Sequence, residues 1–591
     1  MNVDCNGMAI RLKGDVAPFV PTLTCESGEA EGVFYVTLDL KAGAAALLPA
    51  LHLVWDLPSI DVHYKWNSRC AEKRTLDSGA GTYNRVNSSA NSGMPVYSLY
   101  AMDGINACTW ALSDVIHESR MGGSYHNGHF FESEVILSGN SIGVVDSYSV
   151  TIRFDFRRKP YYEVLKDVSR YWETLPGLTP CTVPAAARKP LFCSWYICNL
   201  DIDPGDLEEQ CEQAAAAGFD TLILDDGWQT SQRDFGYRNN GDWEVCDEKL
   251  PAFIDHVKKV QALGMQYMVW FAVPFVGVDA KAYRRFKDML IPGREGATHF
   301  SLDLRYPVAR DYLAGTYESF VRTYGVDGLK LDFIDSASAP PADLSVDPER
   351  DCVTMGEAIC KLLDDVTSRL RKIKPNILLE FRQSYTGPAM RPYANIFRAI
   401  DCPNSLGDNR IRTLDLRLLA GDTAVHADPI TWHKDEPVES AAMQLKHTLF
   451  AVPQISRRLS ELNDRHRRML THHLAFIREH SEVLYRGELR PLHPEMLFPQ
   501  VVARTDDKLL GAYYAHMSLT LEEEFPETVI LVNGTYSPEV LLDLARDFGA
   551  VQVVITDCVG QEIENRTAML RTGLHRLKVP PAGHIHIIRH P

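Results

Sequence analysis

The sequence predicts a multidomain chain: a central (β/α)8 barrel with an N-terminal β-sandwich and a small C-terminal antiparallel β-sandwich. Three observations carry this. Short alternating strands fill the chain to about Arg188, apolar strands then alternate with helices, and strand texture returns from about Gly487. At 591 residues the chain exceeds one ordinary core. The expected domains are residues 1–185, 186–486 and 487–591.

In the first region, Gly32 to Leu40, Ser133 to Leu137 and Ser147 to Phe156 alternate apolar and polar side chains between Gly, Asn, Ser and Asp turns. That is the pattern of half-buried strands in a sandwich. Thr179 to Pro190, with three prolines, reads as a linker. Eight barrel strands are expected: Leu191–Cys198, Thr221–Asp225, Gln266–Ala272, Gly328–Phe333, Asn376–Phe381, Ile396–Ile400, Thr423–His426 and Leu449–Val452. Between the first two, Asp203 as N-cap, Pro204 at the first turn and Gly218 past the end delimit a helix. Pro251–Leu263 is the next helix, and Thr298–Leu304 is an extra extended piece after the third strand. A doubly wound open sheet is the competing fold, but no glycine-rich dinucleotide turn supports it. Lys508 to Ala515, Thr528 to Asn533 and Val551 to Thr556 are strands of the closing sandwich.

Composition excludes some classes of partner. With 61 basic and 78 acidic side chains the net charge is −17 and no basic cluster occurs, which argues against nucleic acid and against an anionic membrane. An uncharged small molecule such as a sugar is compatible. No apolar run reaches membrane-spanning length. The first residues carry no basic or apolar leader pattern, so no secretory signal is read. The 13 cysteines are scattered without a paired framework, and Cys193, Cys198, Cys211 and Cys360 fall in apolar or helical patterns as thiols. Reducing cytoplasm is the expected compartment.

The chemistry collects at the C-terminal ends of the barrel strands, where barrel active sites lie. Gly328 to Ile334 is the most informative stretch: Lys330 and Asp332, two apart in a strand, share a face. A cation beside a carboxylate favours its ionised form, as a nucleophile in sugar chemistry requires. Asp225, Asp226 and Trp228 end the second strand and Trp270 the third. Arg382 and Gln383 end the fifth, Arg398 and Asp401 the sixth, His426 and Asp428 the seventh. Glycoside hydrolysis needs two carboxyls flanking the anomeric carbon, and Asp332 and Asp401 come from different strands across the mouth. Asp401 follows Arg398, so desolvation would have to outweigh that cation for it to serve as an acid. Asp225, Asp226, Trp228, Trp270, Lys330, Arg382, Gln383, Arg398, His426 and Asp428 form the candidate sugar-binding set. Plainer roles compete: Asp226 as a turn residue, Trp228 and Trp270 as core aromatics, His426 as a bridge between backbone groups. His256 and His433 are expected to face solvent, and Asp408, expected as a helix cap, is the reserve candidate for the acid. No metal-ligand spacing appears, and no cofactor is expected.

These motifs resemble the melibiase group of α-galactosidases, glycoside hydrolase family 36, and more distantly family 27 of the same clan. Leu224-Asp-Asp-Gly-Trp228 is similar to the family's block after the second strand. Gly241-Asp-Trp243, with Lys249 and Leu263-Gly-Met265, resembles the next block. Leu302-Asp-Leu304 and Lys330-Leu-Asp332 resemble the motifs leading to the nucleophile, and Arg398-Ala-Ile-Asp401 the segment with the acid/base. The likeness covers Leu191 to Ser456. It implies a retaining double displacement: Asp332 attacks, Asp401 protonates the leaving oxygen and then activates water, and Asp225, Asp226 and Lys330 bind hydroxyls. It also implies an oligosaccharide or glycoside substrate and, since relatives often assemble through their extra domains, a homo-oligomer. Two places depart from the family. Arg382-Gln-Ser-Tyr-Thr-Gly387 stands where a Cys-Ser-Gly-Gly-Gly-like stretch is usual, and Phe271-Ala-Val-Pro274 where a Trp-Glu-Pro-like piece is. Catalysis is therefore better supported than galactose specificity, and Arg382 suits a charged or modified sugar. Three readings compete with hydrolysis: a transglycosylase of the raffinose-synthase kind, a Schiff-base lyase using Lys330, and a sugar-binding protein without turnover.

Overall fold

The computed structural model describes residues 1–589 except 70, 72, 78, 80, 127, 128, 233, 234, 341–343, 345, 523 and 524. Two six-stranded sheets form the N-terminal sandwich. One takes Asn2–Cys5, Met8–Lys13, Leu51–Pro58, Phe130–Leu137, Ser119–His126 and Asn84–Ser88. The other takes Val20–Ser27, Val33–Leu47, Val144–Asp155, Asn106–Leu112, Val96–Tyr100 and Tyr64–Trp66. Their inner faces meet where Trp55 of the first packs edge-on against Trp110 and Phe154 of the second, at 5.3 and 5.0 Å between ring centroids. Cys5 and Cys25 form a disulfide between the two sheets, so the expectation of no paired cysteines is corrected for these two. Strands Asn2–Cys5 and Val20–Ser27 bring the two Cα atoms to 5.7 Å, a contact between sheets that spacing alone does not reveal.

Helix Tyr161–Glu173 follows the sandwich and buries Val164, Leu165, Val168 and Trp172. It leads to the barrel, whose strands are β1 (Leu191–Cys193), β2 (Thr221–Leu224), β3 (Gln266–Ala272), β4 (Gly328–Asp332), β5 (Leu378–Arg382), β6 (Ile396–Arg398), β7 (Ala424–His426) and β8 (Gln454–Ile455). All neighbours run parallel, β8 pairs with β1, and a bridge between His426 and Val452 closes the ring. Helix Pro204–Ala217 has the expected ends: Asp203 accepts from the Asp206 N–H at 2.8 Å, and Gly218 takes a φ of 109°.

Two barrel strands differ from expectation. β8 lies at Gln454–Ile455, not Leu449–Val452, because Thr448–Ala451 turns out of helix Val438–His447 and only Val452 bridges. β1 stops at Cys193. Trp195–Cys198 is then a single helical turn, with the Ile197 and Cys198 N–H groups bonded to the Ser194 carbonyl. Hydrophobicity alone cannot tell such a buried turn from a strand. The extra piece pairs His299–Ser301 antiparallel with Phe275–Gly277.

The last strands form a seven-stranded sheet facing a three-stranded one. Pairing is antiparallel except where Lys508–Tyr513 meets Thr528–Asn533 and Ser518–Leu521 meets Val540–Leu544. Among the described residues no helix is long and apolar enough to cross a membrane, and no group of three or more His, Cys, Asp or Glu side chains could hold a metal ion.

Candidate active site

The C-terminal ends of β1 to β4, β6 and β7 surround a small pocket of about 70 Å3. Asp332 and Asp401 both line it, with Asp225, Asp226, Trp270, Lys330, Arg398 and Asp428. Five of these strand ends, β2 to β4, β6 and β7, place eight of the twelve candidate side chains around one space.

Asp332, the last residue of β4, is buried and held on both oxygens. Oδ1 accepts from Arg382 Nε at 2.5 Å and from the Phe333 N–H at 2.7 Å; Oδ2 accepts from Trp270 Nε1 at 3.0 Å. Burial works to raise this carboxyl, but Arg382, with Lys330 and Arg398 behind it, outweighs burial and brings it down to about 2. Lys330 shares the face of Asp332, as the two-residue spacing requires. Its ammonium, however, donates to Asp225 Oδ2 at 2.7 Å. Burial opposes the charge on Lys330, and Asp225 more than compensates, so its pKa is raised. The direct partner of Asp332 is therefore Arg382 from β5.

Asp225 is fixed in turn, its N–H donating to Ser194 Oγ at 2.9 Å and its Oδ1 accepting the Asp226 N–H at 2.9 Å. Asp226 accepts from Gln229 Nε2 at 2.7 Å, and burial raises it to about 6. Opposite them, one guanidinium serves two carboxylates. Arg398 Nη1 donates to Asp401 Oδ1 at 2.9 Å and, in a still shorter contact, to Asp428 Oδ1. The side chain of Asp401 is 66% exposed, whereas Asp428 is buried. Burial pushes Asp428 up to about 7 despite Arg398. At Asp401 burial also works upward, but Arg398 wins and holds it below the usual carboxylate range. Sharing one cation couples the two titrations. Asp428 Oδ2 also accepts the Cys402 N–H at 2.7 Å, which anchors the chain directly after Asp401.

Four candidates lie off the pocket wall. Trp228 is fully buried against Trp243, Phe271 and Phe320, and its Nε1 donates to the Trp270 carbonyl at 2.9 Å. It supports Trp270 from behind. His426 Nε2 bonds the Ala187 carbonyl at 2.7 Å and its Nδ1 faces Gln454 Nε2 at 3.1 Å, the backbone-bridging alternative. Gln383 Oε1 accepts the Ile400 N–H at 3.1 Å, one residue before Asp401. Arg382 reaches the pocket through Asp332. Outside this set, His256 is buried at 3% exposure against Glu208 Oε1, 2.9 Å away, not in solvent. Asp408 sits in the first turn of helix Leu406–Leu419, whose N-cap is Ser405.

The pocket also has members that sequence reasoning missed: Trp195, Tyr196, Tyr237, Phe333 and Pro429. Tyr237 stacks with Trp270 at 6.3 Å and 25°, giving one wall an aromatic surface suited to the C–H face of a sugar. Trp195 and Tyr196 stand just past the end of β1, inside the stretch expected to be strand. Tyr237 lies in a loop that carries no strand-end signal.

The family model described as Melibiase matches residues 180–487, more than half of the 591. The chain belongs to the melibiase family. It is 27% identical over 205 residues to the α-galactosidase AgaA of Geobacillus stearothermophilus, a match covering 33% of this chain and 27% of that protein. Over 287 residues it is 24% identical to the A type blood α-D-galactosamine galactosaminidase of Flavonifractor plautii, covering 44% of this chain and 25% of that one. These matches thus span about a quarter of each relative's length. A crystal structure of the family 36 α-galactosidase AgaA with raffinose superposes with a TM-score of 0.65 at 16% identity, over 98% of this chain and 81% of the other. The barrel and both flanking sandwiches therefore share that architecture.

Proposed function

We propose that this protein is a retaining α-galactosidase in which Asp332 is the nucleophile and Asp401 the acid/base. The observation that carries the reading is that both carboxyls line one pocket, with Asp332 kept ionised by Arg382. Family membership and the α-galactosidase names of the relatives supply the substrate class.

A nucleophile must be anionic and fixed before the substrate arrives. The donors on Asp332 (Arg382, the Phe333 N–H and Trp270) meet both conditions; attack bonds its oxygen to the anomeric carbon, and the electron pair of the breaking glycosidic bond leaves with the departing oxygen. Asp401 must supply a proton to the departing oxygen. In the open site Arg398 opposes that, but a sugar seated over an exposed carboxyl removes its water, and desolvation favours the neutral acid. Once the glycosyl ester forms, Asp401 is a carboxylate again and can take a proton from water. Asp226, Asp225 and Lys330 offer acceptors and a donor to sugar hydroxyls, and Trp270 with Tyr237 the apolar surface. Arg382 is committed to Asp332 and Asp335 (3.5 Å), so it offers no free cation to an anionic sugar.

The lyase alternative fares worse, because Asp225 holds Lys330 as an ammonium and a Schiff base needs the free amine. NMR of the product first released from an aryl α-galactoside tests the proposal. Retention requires α-galactose to appear before mutarotation, whereas β-galactose first, or no turnover, overturns it.

A further inference from the structure

The catalytic pocket of about 70 Å3 is small beside a second space in the molecule, a cleft of about 900 Å3 between the N-terminal sandwich and the barrel. The sandwich contributes Asn87 to Ser92, Ile116 to Arg120 and Ser138 to Ser141. The barrel contributes the loop directly after β4 and the start of helix Met355–Ile373. Among the described residues lining it, seven are serines and three are asparagines. Its two arginines, Arg69 and Arg120, are matched by Glu118 and Asp335, and His117 is paired with Asp114 at 2.8 Å. Such a lining offers many uncharged donors and acceptors and little net charge, which suits a polyhydroxylated, neutral ligand.

The cleft is joined to the catalytic pocket by the chain that follows Asp332. Asn91 Nδ2, from the sandwich, donates to the Ile334 and Ala337 carbonyls at 2.9 and 3.0 Å. The Gly93 N–H donates to the Ser384 carbonyl at 2.9 Å. Asp335 lines the cleft and pairs through Oδ2 with the same Arg382 that holds Asp332.

We propose that this cleft is a carbohydrate-binding site that holds the remainder of a neutral oligosaccharide whose terminal residue occupies the catalytic pocket. The choice of ligand rests on the α-galactosidase reading. Among the described residues no Phe, Tyr or Trp lines the cleft, so they provide no stacking platform. It therefore adds affinity for long substrates rather than capturing a sugar by itself, and its effect falls on KM.

Asn140 and Asn87 line the cleft, are exposed, and belong to neither the core nor the catalytic pocket. Asn140→Trp obstructs the cleft and Asn87→Ala removes a polar contact. For either variant the KM for the tetrasaccharide stachyose rises about fivefold or more, while kcat/KM for an aryl α-galactoside stays within about twofold of wild type. Stachyose binding followed by ligand-observed NMR weakens in parallel. Equal effects on both substrates, or unchanged stachyose KM and binding in both variants, overturn the inference. If the wild type hydrolyses neither substrate, the α-galactosidase reading fails separately. The NMR titration then decides the cleft alone: stachyose binding lost in Asn140→Trp supports it, and absence of binding to wild type overturns it.

Discussion

Lys330 donates to Asp225 at 2.7 Å, so the ammonium that shares a strand face with Asp332 is committed across the barrel to β2. Arg382 takes its place beside Asp332. The pocket thus separates two tasks, with one cation ordering Asp225 and another keeping Asp332 ionised.

Arg382→Met removes the largest favourable influence on the Asp332 charge and leaves burial opposed by weaker, more distant cations. The Asp332 pKa moves up, so the acid limb of the kcat/KM profile moves to higher pH. At the optimum, kcat falls by about tenfold or more, because the carboxylate also loses its positioning donor. A pH–rate profile with an unmoved acid limb contradicts this assignment.

Asp428→Asn leaves Arg398 Nη1 with Asp401 as its charged partner at the pocket wall. Asp401 then feels more of the cation and loses its proton more readily. The basic limb of kcat/KM moves to lower pH, while KM for an aryl α-galactoside changes by about twofold or less. A variant that raises KM and leaves the limb in place makes Asp428 a substrate contact instead.

Stability falls below about pH 6.5. His472, midway along helix Asp464–Glu479, and His480, just past its end, pack with His584 and His586 of the last strand, with ring centroids 5.2–5.4 Å apart. Burial lowers all four, His472 to about 4 and His480 to about 3, and among the described residues His480 has no hydrogen-bond partner on either nitrogen. Lys446, Lys508 and neighbouring imidazolium charges oppose protonation, while Asp557 and Glu479 favour it at His472 and His586. A depressed folded-state pKa means that the unfolded chain binds protons first. Stability is therefore intact above the unfolded value of 6.5 and is lost as pH falls towards the folded values. Thermal melts from pH 7.5 to 4.5 show Tm dropping steadily below 6.5, and His480→Leu lessens the slope. A Tm that is flat over this range contradicts the account.

Much of the barrel was legible because strand ends carry the polar residues. Asp225, Asp226, Asp332, Asp401 and Asp428 were each found that way, and all line the pocket. What failed was side-chain direction. Asp-Asp-Gly-Trp puts Trp228 at a strand end, yet Gly227 turns with a φ of 112°, close against Leu200, and sends the indole inward behind Trp270. The spacing of Lys330 and Asp332 fixed their common face, but barrel closure across the lumen decides which neighbour the ammonium meets. The aromatic turn after β1 was hidden because Leu191 to Cys198 is apolar throughout its first residues and has no period to mark where strand gives way to helix.

The central claim is that Asp332 becomes covalently bonded to the sugar. A fluorinated α-galactosyl fluoride, whose glycosyl ester breaks down slowly, should inactivate the enzyme, and peptide mass spectrometry of the digest should find one galactosyl adduct on the peptide containing Asp332. Label on any other residue, or inactivation of Asp332→Ala at the wild-type rate, contradicts it.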